Sequence, residues 1–120
     1  MRQIKYILID DSGQKNREHH YNIDSKGCVA DSTDIRKAVK VIDRKVDPDG
    51  YNANSVVVRL VTSSKLQVRG EERDALKGLL VELRNHFPEA MIFGIREIGG
   101  YFIKVSDEMN RLRLELSDMS

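Results

Sequence analysis

The sequence predicts an α/β fold, in which a mixed central β-sheet of about five or six strands is flanked by helices. Two observations lead to this fold class. Residues 4–10 and 55–61 are almost continuously apolar and rich in β-branched side chains, as strands buried on both faces of a sheet are. Residues 11–18, which follow the first run, number only eight. Because a parallel crossover needs room for a helix, the next strand is expected to be antiparallel or distant.

The size and charge of the chain restrict its function. A chain of 120 residues with 40% hydrophobic content can bury one core, so residues 1–120 are predicted to form a single domain. The 20 Lys and Arg residues nearly balance 19 Asp and Glu residues, so we expect neither a nucleic-acid nor a membrane partner. The first apolar run is too short for a signal peptide or a membrane span, which favours a cytoplasmic protein.

The segment after the first strand is predicted to form a short β-hairpin. Residues 19–24 make its first strand, residues 25–27 its turn and residues 28–30 its second strand. Because His19 and His20 are consecutive on a strand, their side chains are expected to point to opposite faces.

Residues 35–46 are predicted to form a basic amphipathic helix. Capping residues open the segment, and apolar residues then recur at helical spacing. The opposite face is a candidate docking surface for an acidic partner, with an ordinary solvated helix face as the alternative. We call this face the basic patch, and it comprises Arg36, Lys37, Lys40 and Arg44.

The stretch DGYNANSVVVRLV, residues 49–61, places a turn directly before the second buried strand. Asn52 and Asn54 tolerate left-handed backbone and can bond neighbouring amides, and Ser55 can satisfy the open end of the strand. A tight turn is therefore expected here.

The second half of the chain begins with a helix, predicted over residues 69–87 from leucines at helical spacing and from acidic residues in its first turn. Residues 90–95 follow as a strand. Residues 96–105 fit either a hairpin that turns at Gly99-Gly100 or a loop. A terminal helix, capped near Ser106, is predicted to place Met109, Leu112 and Leu116 on one face, with Met119 as a further candidate.

In this order, the segments resemble the type 2 N-acetylmuramoyl-L-alanine amidases, which include amidase-type phage lysozymes and the peptidoglycan recognition proteins. The G-Y-N-x-x-S turn of that family matches residues 50–55. Its Y-H-F/Y-x-I strand is similar to residues 19–23, and its G-H-R-D/E-I motif is similar to residues 94–98. The likeness runs, with gaps, over residues 4–107 and implies an amidase-like fold.

The resemblance also implies where a zinc site would lie. Active relatives hold zinc with two histidines and a cysteine, and the ion polarises the scissile carbonyl and supplies hydroxide. The matching positions are Asp10, Ile95 and Ile103. Isoleucine has no lone pair, so neither Ile95 nor Ile103 can bind a metal ion. The family's supporting tyrosine and lysine match His19 and Tyr101, so neither supporting group is kept.

A rearranged metal site is the alternative that these residues leave open. Carboxylates together with histidine can bind divalent ions. Five such residues lie near the expected groove: Asp10, Asp11, His19, His20 and Asp47. Only one of the two histidines is expected to reach the side of Asp10.

The sequence therefore predicts an amidase-like protein without a cofactor and without hydrolytic activity, which binds a peptidoglycan fragment or a protein partner. Non-catalytic recognition proteins in the family give the precedent. Groove residues are predicted at Asp47, Tyr51 and Asn52. The alternative is an active metal-dependent amidase that cleaves the muramoyl-L-alanine bond with a rearranged site. A structural or regulatory protein that converges on this fold is a third hypothesis.

Overall fold

In the part of the chain that the structure describes, the fold consists of five short strands, two α-helices and one 3₁₀ helix. A computed structural model of the chain describes residues 2–10, 18–41, 47, 49–61, 70–98 and 107–118. The elements are β1 (Tyr6–Asp10), β2 (Tyr21–Ile23), β3 (Val29–Asp31), β4 (Ser55–Leu60), α1 (Gly70–His86), β5 (Met91–Gly94), the 3₁₀ helix (Ile95–Glu97) and α2 (Asp107–Asp118).

The strands form one mixed sheet in the order β3-β2-β4-β1-β5. Strand β1 is parallel to both β4 and β5, and β2 is parallel to β4. Among the pairs of described strands, only β2–β3 is antiparallel. The sheet confirms the predicted fold class, and β4 separates β2 from β1, as the short segment after β1 predicts.

The two faces of the sheet are covered differently. Alternate side chains of β1 and β4 point to opposite faces. On one side, which we call the helix face, α1 and α2 contribute Leu76, Leu80, Leu112 and Leu116 to the core. On the other side, the loop face, the core consists of Tyr6, Leu8, Val39, Val41, Val57, Ile95 and Ile98. Within the described ranges, both α-helices therefore lie on one face, and irregular segments cover the other.

The predicted hairpin is confirmed, with strand bounds that differ by one or two residues. Asp24 organises the turn, because its Oδ1 accepts hydrogen bonds from the amides of Lys26 and Cys28, both at 2.9 Å. Gly27 has a φ of 81°, in the left-handed region that favours glycine. Its position is also tight, since a Cβ there would lie 2.7 Å from the carbonyl oxygen of Glu71 at the start of α1.

The predicted helix over residues 35–46 is wrong for its described part, because residues 32–41 are not helical. Val39 and Val41 are buried while Lys40 is exposed, a period of two that fits extended backbone. The amide of Lys40 donates to Glu18 at 2.6 Å, and that of Val41 donates to Asn52 at 2.6 Å. Side chains from other segments thus bind amides that a helix would have paired internally. Residues 42–46 lie outside the described ranges.

The two later helices match their predictions. Helix α1 buries Leu76, Leu79, Leu80 and Leu83, and α2 buries Leu112 and Leu116. The side chains of Met109 and Met119, and the choice between hairpin and loop at residues 99–105, lie outside what the structure describes. No described helix has the length and apolar character needed to cross a membrane.

Candidate functional site

A row of polar side chains crosses the sheet where its parallel strands end. Strands β2, β4, β1 and β5 run in one direction, and in open α/β sheets ligands bind at the carboxyl ends of the strands. The register pairs Asn22 with Arg59, and Arg59 with Asp10. By alternation these three residues point to the loop face. Ile95 follows Gly94, the partner of Ile9 in β5. We call these three polar residues, together with Ile95, the edge row.

Within the edge row, the position that matches a histidine ligand of the family is aliphatic. Ile95 is 7% exposed and belongs to the same apolar cluster as Tyr6, Leu8 and Val39. Asp10, the position that matches the first ligand, is buried at 1% exposure. The structure therefore places Asp10 and Ile95 at the same edge and face of the sheet. Tyr101 and Ile103 lie outside the described residues.

The residues at the positions that the resemblance assigns to zinc ligands do not fit a zinc ion. Zinc in such sites needs three protein ligands that carry lone pairs, and Ile95 and Ile103 have none. In the part of the chain that the structure describes, no three His, Cys, Asp or Glu side chains are grouped to hold a metal ion. Asp11, one of the residues considered for a rearranged site, falls outside that part.

His20 is completely buried and holds three segments together. Its Nδ1 accepts a hydrogen bond from the amide of Val57 at 3.0 Å. The proton must therefore sit on Nε2, which donates to the carbonyl of Lys37 at 2.7 Å. Burial lowers the pKa of His20 from its usual value of 6.5, and the charge of Arg2 adds to this effect. His20 is thus a neutral structural residue, whereas His19 is only partly buried.

Arg2 links the start of the chain to the same region. Its guanidinium donates to the carbonyls of Ile35 at 3.2 Å, Ala53 at 3.0 Å and Ser55 at 2.7 Å. Its Nη2 also lies 3.0 Å from Nε2 of His20. Since both of these nitrogens carry protons, the contact brings a positive charge beside a ring that must stay neutral.

The predicted groove residues stabilise the turn that precedes β4. The carboxylate of Asp47 accepts hydrogen bonds from the amides of Tyr51 at 3.1 Å and Asn52 at 2.8 Å. The Tyr51 ring packs on Tyr6, with centroids 4.7 Å apart. The Tyr6 hydroxyl donates to the carbonyl of Asp49 at 2.9 Å, and burial raises the pKa of Tyr6. Tyr51 remains half-buried on the loop face, so it is accessible to a ligand.

Two details of this turn correct the expectations from sequence. Asn52 and Asn54 do not adopt left-handed backbone; Gly50 does, with a φ of 74°. Asn54 acts through its side chain, which donates to the carbonyl of Gln3 at 2.9 Å. The hydroxyl of Ser55 is buried without a hydrogen-bond partner among the described residues, so it does not cap the strand as predicted.

The basic patch is exposed at each described position but does not lie on a helix. Arg36, Lys37 and Lys40 are exposed, and Arg44 lies outside the described ranges. Arg36 forms an ion pair with Asp34 at 2.6 Å, and its guanidinium holds the pKa of that carboxyl well below its usual range. Much of the Arg36 charge is therefore already balanced.

The edge row contains two residues that sequence reasoning missed. Arg59 is a charged side chain among the apolar residues of VVVRL, and this contrast could have identified it. Asn22 carries no such signal, because its position beside Arg59 depends on the strand register. Its Oδ1 is buried and accepts no hydrogen bond from a described residue. A buried acceptor of this kind is suited to a ligand donor.

A further ion pair holds the 3₁₀ helix that carries Ile95. Glu97 accepts a hydrogen bond from the amide of Gly94 at 2.8 Å. Arg113 of α2 donates two hydrogen bonds to the same carboxylate, at 2.7 and 3.0 Å. These hydrogen bonds therefore fix the 3₁₀ helix against the end of β5.

Comparison with known proteins identifies the fold. No protein-family model matches the sequence, and no curated protein matches it significantly. Among solved structures, the chain is similar to the N-acetylmuramoyl-L-alanine amidase LysC from Clostridium intestinale URNW, with a TM-score of 0.67 over 96% of this chain and 87% of that chain. The chain has an amidase-like fold. The sequence identity is 12%, so the likeness concerns the fold, and the site must be interpreted from the residues of this chain.

Proposed function

We propose that this protein is a non-hydrolytic, amidase-like protein that binds a peptidoglycan fragment at the carboxyl edge of its sheet. The proposal joins two features: an amidase-like fold, and an edge row whose chemistry suits binding better than metal-dependent hydrolysis. The observation that carries it is Ile95, which lies buried among apolar side chains next to the end of β1.

An aliphatic residue at this position has a clear energetic effect. Burying an isoleucine side chain stabilises a fold by about 1.5–3 kcal/mol, whereas a buried imidazole needs hydrogen-bond partners to offset its desolvation. Ile95 belongs to the apolar cluster of the loop face, which also contains Leu8, Val57 and Ile98. The position therefore contributes to the core of the loop face and supplies no ligand to a metal.

The rest of the edge row supplies groups that recognise a peptide-bearing sugar. Arg59 can donate two hydrogen bonds to a carboxylate, such as those of a peptidoglycan stem peptide. Asn22 and Asp10, on either side of it in the register, can accept from amides and hydroxyls. Phe93, half-buried on the loop face and directly before Gly94 in β5, adds aromatic surface nearby. Tyr51 packs on Tyr6 at the opposite end of β1 and is therefore not part of this site.

Binding of a muramoyl tripeptide, measured by isothermal titration calorimetry, tests this proposal. Arg59→Gln is expected to weaken binding about tenfold or more, because a hydrogen bond to a charged group is worth about 1.5–3 kcal/mol. Arg84→Gln, on helix α1 and away from the edge row, is the matched control and should bind like the unmodified protein. Absence of binding, or equal affinity in both variants, would contradict the proposal.

A further inference from the structure

A groove lies on the helix face, between the β2–β3 hairpin and the C-terminal half of α1. Its volume is about 520 Å³. Its apolar lining includes Tyr21, Val29, Leu83 and Phe87, and its acidic residues are Asp31 and Glu82. We call it the helix-face groove. The edge row points to the opposite face of the sheet, so the two places are separate.

Among the strands that the structure describes, the one beside this groove lies at the edge of the sheet. Strand β3 is last in their order, and all three of its residues are exposed. The amide of Ser32 donates to the carbonyl of His20, and that of Asp24 donates to the carbonyl of Cys28. Bonded pairs alternate along an antiparallel ladder. The main-chain groups of Val29 and Asp31 must therefore point away from β2, towards the open edge.

The same two residues connect the open edge to the groove. Val29 and Asp31 are two positions apart, so their side chains share a face, and both line the helix-face groove. A strand paired with their main chain would place its own directly opposite side chains on this face as well. Such a strand would present side chains at positions i and i+2 to the groove.

The charge of the groove favours a cationic occupant. Asp31 and Glu82 are exposed acidic groups in its lining. The other titratable groups there are Tyr21 and His86. Neither Lys nor Arg is among the described lining residues. Burial raises the pKa of Tyr21, and the charges of Asp31, Glu82 and Asp34 raise it further. The carboxylate of Asp34 is already paired with Arg36.

We propose that the helix-face groove binds an extended peptide segment of a partner protein, which adds a strand at β3. One large apolar side chain of the peptide enters the groove against Leu83 and Phe87. A Lys or Arg two residues away contacts Asp31 and Glu82. Edge pairing supplies the main-chain hydrogen bonds, and the groove supplies the sequence preference, as in other strand-addition complexes.

A second copy of the chain fits this surface less well. Two β3 strands paired about a two-fold axis would bring the same acidic groups of both copies together. Like charges at a shared interface cost free energy. A basic partner peptide removes that repulsion. This proposal is independent of peptidoglycan binding, since it uses the other face of the sheet.

Selection from a displayed library of random octapeptides tests the proposal. Enriched peptides should carry a large apolar residue with Lys or Arg two positions away, and NMR shifts on binding should map to Val29, Asp31 and Leu83. Glu82→Lys and Asp31→Lys are expected to weaken binding at least tenfold. Glu89→Lys, an exposed carboxylate outside the groove, is the matched control and should leave affinity unchanged.

Each other outcome counts against the proposal. Enrichment of acidic or purely apolar peptides, shifts that map to the edge row, or no enrichment at all would overturn it. Light scattering that shows a dimer disrupted by Asp31→Lys would assign the groove to a second copy instead. Because Arg59→Gln should leave octapeptide affinity unchanged, failure of this proposal is distinguishable from failure of muropeptide binding.

Discussion

At the scale of single residues, His20 is the buried polar group on which three segments converge. It bonds Val57 of β4 and the carbonyl of Lys37, and its own amide donates to the carbonyl of Val57 at 2.9 Å. The sequence shows two adjacent histidines and does not show which of them is buried. That distinction arises from the packing of residues 32–41, of which the sequence pattern misassigned residues 35–41 to a helix.

The protonation of His20 predicts how stability depends on pH. Its pKa is lowered in the folded state, so the unfolded chain binds the proton first as pH falls. Its contribution is therefore fully present above pH 6.5, the usual pKa, and decreases as pH drops from there towards the folded pKa. Urea unfolding at pH 7.5, 6.5 and 5.5 should show a falling free energy of unfolding.

Two variants separate His20 from the other titrating groups. His20→Gln should lose about 1–3 kcal/mol at pH 7.5, the cost of an unsatisfied buried group, and its stability should change less between pH 7.5 and 5.5. His86→Gln, at the exposed end of α1, should retain the pH dependence of the unmodified protein. Equal pH dependence in all three proteins would exclude the role given to His20.

The chemistry of the edge row is partly predictable from residue types alone. Ile95 and Ile103 lack lone pairs whatever their placement, so the sequence predicts the loss of two zinc ligands once the positions are matched to the family. Asn22 and Arg59 are different. Their juxtaposition with Asp10 depends on strand register, which no local pattern specifies here.

At the scale of elements, the spacing of apolar residues correctly predicts the helices that bury one apolar face. The leucines of α1 recur on one face, and the helix forms as expected. Residues 35–46 also show helical spacing, but Val39 and Val41 equally satisfy a period of two. Because Glu18 and Asn52 accept hydrogen bonds from the amides of residues 40 and 41, the backbone there is extended and not helical.

Two glycine substitutions test how the hairpin meets α1. Gly27→Ala should destabilise the protein by about 1 kcal/mol or more, since residue 27 has left-handed backbone and a Cβ would collide with the carbonyl of Glu71. Gly78→Ala, at an exposed position of α1 with open space around it, should stabilise by about 0.5–1 kcal/mol. Thermal unfolding measures both.

One result for these variants would contradict the contact between the hairpin and α1. A Gly27→Ala protein as stable as the unmodified one would show that the hairpin tip does not rest on α1. If Gly78→Ala stabilises the protein while Gly27→Ala destabilises it, the loss at residue 27 is not a general effect of an added methyl group.

At the scale of the whole molecule, the sheet combines an amidase-like strand arrangement with unequal covering of its faces. The strand order brings the ends of β2, β4, β1 and β5 to one edge, where the edge row lies. The helices cover the other face and leave the helix-face groove beside β3. Segment order and the two buried strands made the fold class predictable. The order of strands in the sheet depends on long-range pairing, which periodicity does not reveal.

The central claim is that this amidase-like scaffold lacks the groups needed to hold zinc and to hydrolyse the muramoyl-L-alanine bond. One assay tests it most directly: release of stem peptide from purified muropeptides, followed by mass spectrometry, with one equivalent of added zinc and again with a chelator. The triple variant Asp10→His, Ile95→His, Ile103→Cys is the comparison, and it is expected to bind zinc stoichiometrically. The account predicts no release of stem peptide by the unmodified protein in either condition. Release that the chelator suppresses would contradict it.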